Sequence, residues 1–239
     1  MALLLHIETS TAVCSVALGK DGSLLALKET KEGMKHASQL SVFIDEILKE
    51  NNLTPKDLDG LAISMGPGSY TGLRIGVSTA KGICYGANLP LIAINTLQAM
   101  TKPLQENATL QAQVKNPSKA YYCPMIDARR MEVYTAFFNQ KIELVKDISA
   151  DIIDENSYSK ELHEREIIFF GDGSSKCKEV IKSKNGIFLD DVTPSAKGMI
   201  ELAETKFQNQ EFEDVAYFEP FYLKDFVATT PKKNIFNRI

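Results

Sequence analysis

The spacing of apolar and polar positions changes several times along the chain, and each change predicts an element. Leu3-Leu4-Leu5-His6-Ile7 is an apolar run too short for a helix, and Thr9-Ser10-Thr11 follows it as a turn would. Val13, Ser15 and Ala17 alternate loosely with Cys14, Val16 and Leu18 up to the turn signal Gly19-Lys20-Asp21-Gly22, and Leu24 to Leu27 offers a third strand. The chain is therefore expected to open as a three-stranded meander. From His36 the period lengthens. Leu40, Phe43, Ile44, Ile47 and Leu48 share one face of a helix that ends near Asn51-Asn52, while Glu46, Lys49 and Glu50 fall off that face. Leu61 to Met65 predicts a buried strand stopped by Gly66-Pro67-Gly68-Ser69; a helix over about 72–86 and a strand at Leu91 to Ile94 follow.

A helix and then a polar, proline-containing connection fill Thr96 to Lys119. The lobe boundary is set near residue 100, so 1–100 and 101–239 are the expected units, with the tail from about 215 packing back on the first. Tyr121 to Ile126 and Val133 to Phe138 predict strands around Asp127-Ala128-Arg129-Arg130. Ile167 to Phe170 predicts another, ending in Gly171-Asp172-Gly173, with helices over Ser175 to Lys184 and 196–208. A meander followed by strand-helix-strand units indicates an α/β fold with mixed sheets. No internal repeat is visible residue by residue, which leaves room for two lobes of similar shape.

Composition narrows the function. Of 239 residues, 44% are hydrophobic and 24% charged, the balance of a globular protein with a real core. A net charge of -4 argues against a surface that grips nucleic acid over its whole extent. Cys14, Cys84, Cys123 and Cys177 are scattered without a CxxC pair, which suits reduced thiols better than a zinc knuckle or disulfide scaffold. The start lacks the basic leader of a signal peptide, and no apolar run approaches the roughly 20 residues of a membrane span. The expected compartment is the cytoplasm.

Candidate chemistry is sparse. Gly66 to Gly76 places a glycine-rich turn before a helix, a physically good anion site, but no Gly-Lys-Ser/Thr triplet makes it a P-loop and Thr71 breaks a GxGxxG pattern. Glycines inside a helix cost about 1 kcal/mol each against alanine, so Gly72, Gly76 and Gly82 ask for a reason. Gly72, Gly76 and Ala80 lie four apart, with Thr79 and Ile83 beside them, and form a groove for another helix, of this chain or of another. His6, His36 and His163 are too far apart in sequence for a helical two-histidine metal site, and His6 reads as a hydrogen-bonded core residue. Ser64, His36 and Asp45 make a triad on paper only, without a nucleophile elbow. Glu8 and Asp127 can hold a water or a metal, although capping, or pairing of Asp127 with Arg129 and Arg130, is the commoner use. Tyr217, Phe218, Phe221, Tyr222 and Phe226, near Lys224, Lys232, Lys233 and Arg238, can stack on RNA bases, anchor a protein or dock back on the chain itself. The turns at Ser10-Thr11 and Gly171-Gly173 are candidate phosphate loops, and they support an alternative reading as an ATP-dependent phosphotransferase acting alone.

Five stretches together resemble the TsaB family, formerly YeaZ: Leu5-His6-Ile7-Glu8-Thr9-Ser10, His36-Ala37-Ser38-Gln39-Leu40, the run from Gly66 to Gly76, Asp127-Ala128-Arg129-Arg130 with Glu132-Val133-Tyr134, and Pro220-Phe221-Tyr222-Leu223. The resemblance implies a two-lobed actin-like ATPase fold shared with the catalytic paralogue TsaD. It implies a non-catalytic scaffold that works with TsaD and the ATPase TsaE to place threonylcarbamoyl on adenosine 37 of tRNAs reading ANN codons, forms a homodimer when alone, and meets tRNA through the complex. ATP and metal are then expected on the partners and no cofactor here, since where TsaD carries a histidine pair this helix offers only His36, with Leu40 four residues on. The resemblance also implies a helix-bundle contact through the first lobe, which assigns Leu40, Phe43, Ile47, Gly72, Gly76, Thr79, Ala80 and Ile83 to partner binding. On that assignment a bulky residue at Gly76 abolishes pairing and leaves the fold intact.

Overall fold

The protein is described by a computed structural model over residues 2–31 and 36–224, the side chain of His36 excepted. Two five-stranded mixed sheets form its frame. The first contains β1 (Leu3–Glu8), β2 (Cys14–Lys20), β3 (Ser23–Thr30), β4 (Gly60–Gly66) and β5 (Leu91–Asn95), with α1 (His36–Glu50) and α2 (Tyr70–Ala87) between its strands. Then α3 (Thr96–Gln105) and α4 (Ala108–Gln113) lead to the second sheet. That sheet contains β6 (Tyr121–Asp127), β7 (Glu132–Phe138), β8 (Leu144–Ile152), β9 (Ile167–Phe170) and β10 (Gly186–Phe188), with α5 (Ser159–Glu164) and α6 (Ser174–Lys178) interspersed; α7 (Ile200–Gln208) closes the helices.

The two sheets repeat one topology. The first has the order β3-β2-β1-β4-β5 and the second, read from its far edge, β8-β7-β6-β9-β10. In each, the opening strand is antiparallel to its hairpin partner and parallel to the fourth strand. This is the duplicated actin-like architecture, in which the repeat survives in strand order and not in residues.

Period-2 alternation explains how each sheet is covered on both faces. On β1, Leu5 and Ile7 join Val16, Leu61, Ile63 and Ala93 beneath Leu40, Ile44 and Ile47 of α1 and Val77 and Ala80 of α2. Leu4 points the other way, to Ile92, Ala99 of α3 and Met199 and Ala203 near α7. The second sheet sets Tyr122, Ile126 and Phe138 against Leu97, Met100 and Leu104 of α3, and Cys123, Phe137 and Phe169 against Leu162 and Cys177 of α5 and α6. Helix α3 thus packs against both sheets, and the division placed at residue 100 falls inside it.

The chain after the second sheet returns to the first, and it does so from Ala196, well before residue 215. Ala196 donates its N–H to Ser15 Oγ, and Ala196 and Ile200 pack on Ala17. Glu213 forms an antiparallel bridge with Leu91 that covers the outer edge of β5, and Phe218 is buried in the core under α1 and α2. Covering an edge strand in this way removes a site of unwanted pairing.

His6 lies on the face that the returning segment covers. Its Nδ1 is 3.3 Å from the Ala17 carbonyl oxygen, a bond that places the proton on Nδ1, and its buried Nε2 has no partner among the described residues. Gly19 leaves it room, because a Cβ there would come within 2.9 Å of the imidazole. Burial lowers its pKa from 6.5 to about 4. The folded base is harder to protonate than the unfolded one, so its contribution is complete above pH 6.5 and is lost as pH falls towards 4. Relative to a His6→Leu variant, the protein should lose about 3 kcal/mol across that window, at about 1.4 kcal/mol per pKa unit. Urea titrations of both proteins at a series of pH values check this, and parallel profiles would contradict it.

Candidate functional site

The glycine-rich stretch is built against the first turn. Ser69 caps α2 by accepting the Gly72 N–H, and its own N–H donates to the Ser10 carbonyl at 2.6 Å. A Cβ at Gly68 would lie 2.3 Å from that same carbonyl oxygen. About two turns of helix further on, a Cβ at Gly76 would sit 2.2 Å from Thr9 Oγ1 and 3.1 Å from the Ile63 side chain. Glycine is therefore the side chain that lets α2 lie on β1 and its turn. Beneath it the buried Glu8 carboxylate accepts the Ser10 N–H at 2.6 Å, and burial raises its pKa. Glu8 thus caps the turn through one oxygen, while its buried Oε2 has no partner among the described residues.

This packing corrects two expectations. Ser10 and Thr11 are buried, with the loop before α2 lying on the turn, so they do not form an open phosphate loop. Gly171, at φ +103, and Gly173 would place a Cβ 2.2 Å from the Met125 carbonyl oxygen and 3.0 Å from Asp127 N. Both serve the tight passage from β9 to α6, where the Gly173 N–H is given to the Met125 carbonyl and the Ser174 N–H to the Gly171 carbonyl and not to an open phosphate loop. The paper triad fails as well, because Ser64 is fully buried beside the Thr9 N–H; Asp45 pairs with Lys49, and the His36 side chain lies outside the described residues. Asp127 accepts Lys176 Nζ and the Arg129 backbone N–H, not the arginine side chains. No group of three metal-ligating side chains occurs among the described residues.

The partner-binding assignment divides by helix face. Leu40, Ile47, Gly72, Gly76 and Ala80 are buried within the first lobe, so in this chain they are core positions, and the expectation that they form a contact surface is corrected. Phe43, Thr79 and Ile83 are half-buried and reach the outer side. The open surface beside them consists of residues that the spacing argument left out or only noted. Val42 of α1 is exposed, and on α2 Ser78, Gly82, Tyr85 and Gly86 are exposed, Tyr85 by 88%. A Cβ at Gly82 or Gly86 would meet nothing within 4 Å. Two neighbouring helices thus present an outer face of small and apolar side chains, with helix-breaking glycines that no internal contact requires. Hydrophobic exposure on α1 and α2 is the signal that only the folded chain reveals. Two cavities stand elsewhere: one of about 640 Å³ lined by Lys115, His163 and Lys184 among others, and one of about 350 Å³ beside Phe207 and Phe212.

These features define a two-lobed actin-like protein whose first turn is closed over by its own chain and whose first lobe offers a helical face. The family described as tRNA N6-adenosine threonylcarbamoyltransferase, TsaD, matches residues 30–232. A Haemophilus influenzae protein named tRNA threonylcarbamoyladenosine biosynthesis protein TsaB is 31% identical over 234 residues, 94% of each chain. Its Escherichia coli namesake is 30% identical over 237 residues, 94% of this chain and 96% of the relative. YeaZ from Pseudomonas aeruginosa shares the fold, with a TM-score of 0.79 at 22% identity, covering 93% of this chain and all of that one. The chain belongs to the TsaB family, within the wider group that also contains TsaD.

The Gly76 contact yields a direct test. Gly76→Ala should cost about 1–3 kcal/mol by overpacking, contrary to the intact fold expected of a bulkier residue there. Removing the unpartnered Thr9 hydroxyl with Thr9→Ala should restore most of that loss in the double variant. Denaturant midpoints measure both, and losses that merely add would show that the two groups do not meet.

Proposed function

We propose that this chain serves tRNA threonylcarbamoyladenosine biosynthesis as a non-catalytic docking subunit. A TsaD-like subunit pairs with the outer face of α1 and α2, a TsaE-like ATPase joins them, and the partners carry ATP, metal and the transfer to adenosine 37. The same face would hold two copies together when the chain is alone, and the work is placed in the cytoplasm; no helix among the described residues is long and apolar enough to cross a membrane. The relatives' names give the pathway. The observation that carries the docking role is the exposed Gly82 inside α2, with Tyr85 and Gly86 also exposed on that helix and Val42 exposed on α1. Glycine at an exposed mid-helix position weakens the helix without any benefit to this chain's packing, and close approach of a second backbone is the physical use for it. The candidate catalytic positions support the same reading, since Glu8, Ser10 and Ser64 are buried and Asp127 is paired with a lysine.

Gly82→Arg should raise the stability of α2 by up to about 1 kcal/mol, because arginine is a far better helix former and the space is open. The same substitution, or Val42→Asp, should weaken pairing with the TsaD-like subunit at least tenfold. Thermal melts and pairing titrations on the same preparations separate the two effects. Undiminished pairing in both variants would refute the docking face.

A further inference from the structure

We infer that Arg129 and Arg130, at the tip of the β6–β7 hairpin, form an RNA contact together with Arg74, Tyr70 and Tyr222. The inference rests on the proposed role in tRNA modification and adds a direct RNA-binding surface to a chain read above as reaching tRNA only through its complex.

The hairpin tip is the observation from which the rest follows. Arg129 has φ +69 and Arg130 φ +46, a left-handed conformation that glycine and asparagine adopt readily and arginine rarely does. Two consecutive arginines in that region are a poor choice for the turn itself. Both are exposed, and among the described residues neither guanidinium has a hydrogen-bond or ion-pair partner. The neighbouring acids are already engaged, Asp127 by Lys176 and Glu132 by Lys224. The quasi-equivalent turn of the first sheet, Thr9 to Thr11, is buried under the loop before α2, whereas this one is open. In a chain of net charge -4, a tip with two unpaired cations is a local exception.

The returning segment brings a second set of groups beside the tip. Phe221 N–H donates to the Met65 carbonyl, and the next ring, Tyr222, packs on Tyr70 at the start of α2 with centroids 4.9 Å apart. Two residues later Lys224 pairs with Glu132 at the base of the hairpin. Arg74 lies over the Tyr70 ring, 5.4 Å from its centroid, with Nη1 3.4 Å from the Tyr70 hydroxyl. The strip therefore combines forked guanidinium donors, which suit phosphate oxygens, with aromatic rings on which an unstacked base can lie. An acidic peptide would use the arginines but not the adjoining rings, so looped RNA fits the whole strip better.

The test titrates unmodified tRNA with the chain alone and with the chain assembled with its TsaD-like subunit, at several salt concentrations. Arg129→Gln/Arg130→Gln should bind at least tenfold more weakly and lower the salt slope by about one per arginine. Arg129→Asn/Arg130→Asn should show the same loss with an equal or higher thermal midpoint, because asparagine accepts the left-handed backbone; this excludes misfolding as the cause. Tyr222→Ala should weaken binding with little change of slope. Equal affinity and slope for wild type and both arginine variants, absence of tRNA binding by wild type, or loss of subunit pairing in place of tRNA affinity would overturn the inference. If the wild-type subunits do not pair, the docking reading falls, while the titration of the chain alone still decides this one.

Discussion

Helix α2 can lie on the turn after β1 only because Gly68, in the loop before it, and Gly76, within it, carry no side chain. With the Ser10 carbonyl 2.3 Å and Thr9 Oγ1 2.2 Å from where their Cβ atoms would be, the helix is pinned to β1 just before its start and about two turns further on. The rest of the first lobe follows from that approach. It closes the Thr9–Thr11 turn over Glu8, sets the rotation of α2 so that Ala80 and Cys84 face the sheet, and leaves Ser78, Gly82 and Gly86 turned outward. A helix rotated to bury Gly82 would expose Gly76 and leave the turn open. The same glycines therefore close the turn after β1 and orient the candidate docking face.

The duplicated topology makes the divergence of the lobes visible. Both sheets start with a hairpin and add a parallel strand, yet the first hairpin's turn is sealed and the second's is presented to solvent with two strained arginines. The segment after Ala196 joins the two ends of this contrast. It covers β5, seats Phe218 in the first core and delivers Tyr222 and Lys224 to the mouth between hairpin and α2. In the first lobe it is also held by Lys81, whose Nζ donates to the Ala216 and Phe218 carbonyls.

What could be read from the sequence follows the strength of each local pattern. The meander, α1, β4, α2 and β5 carry clear periods and strong turn residues, and all are present. Four elements were missed: β8, whose Leu144-Val145-Lys146-Asp147-Ile148 run is half-exposed and interrupted by charge; α4 and α5, at six residues each; and β10, at three. The helix expected to Lys184 stops at Lys178, since Ile181 turns into the second core and the chain must straighten to begin β10 at Gly186. For the candidate site, spacing identified a small-residue helix but not which side faced inward. Thr9 and Ile63 decide that from elsewhere in the chain, beyond the reach of any helical repeat. The Asp127 to Arg130 stretch was visible as a motif, whereas its left-handed backbone and unpaired guanidiniums were not.

The central claim is that this chain acts by docking and not by chemistry of its own. The most direct measurement is tRNA adenosine 37 modification in a reconstitution of TsaD-like and TsaE-like subunits, threonylcarbamoyl-adenylate, ATP and tRNA, with wild-type chain, with Gly82→Arg chain, and with none. Modification should be full with the wild-type chain, strongly reduced with Gly82→Arg, and absent without the chain or with the chain by itself. Full modification without it, or undiminished modification with Gly82→Arg, would contradict the account.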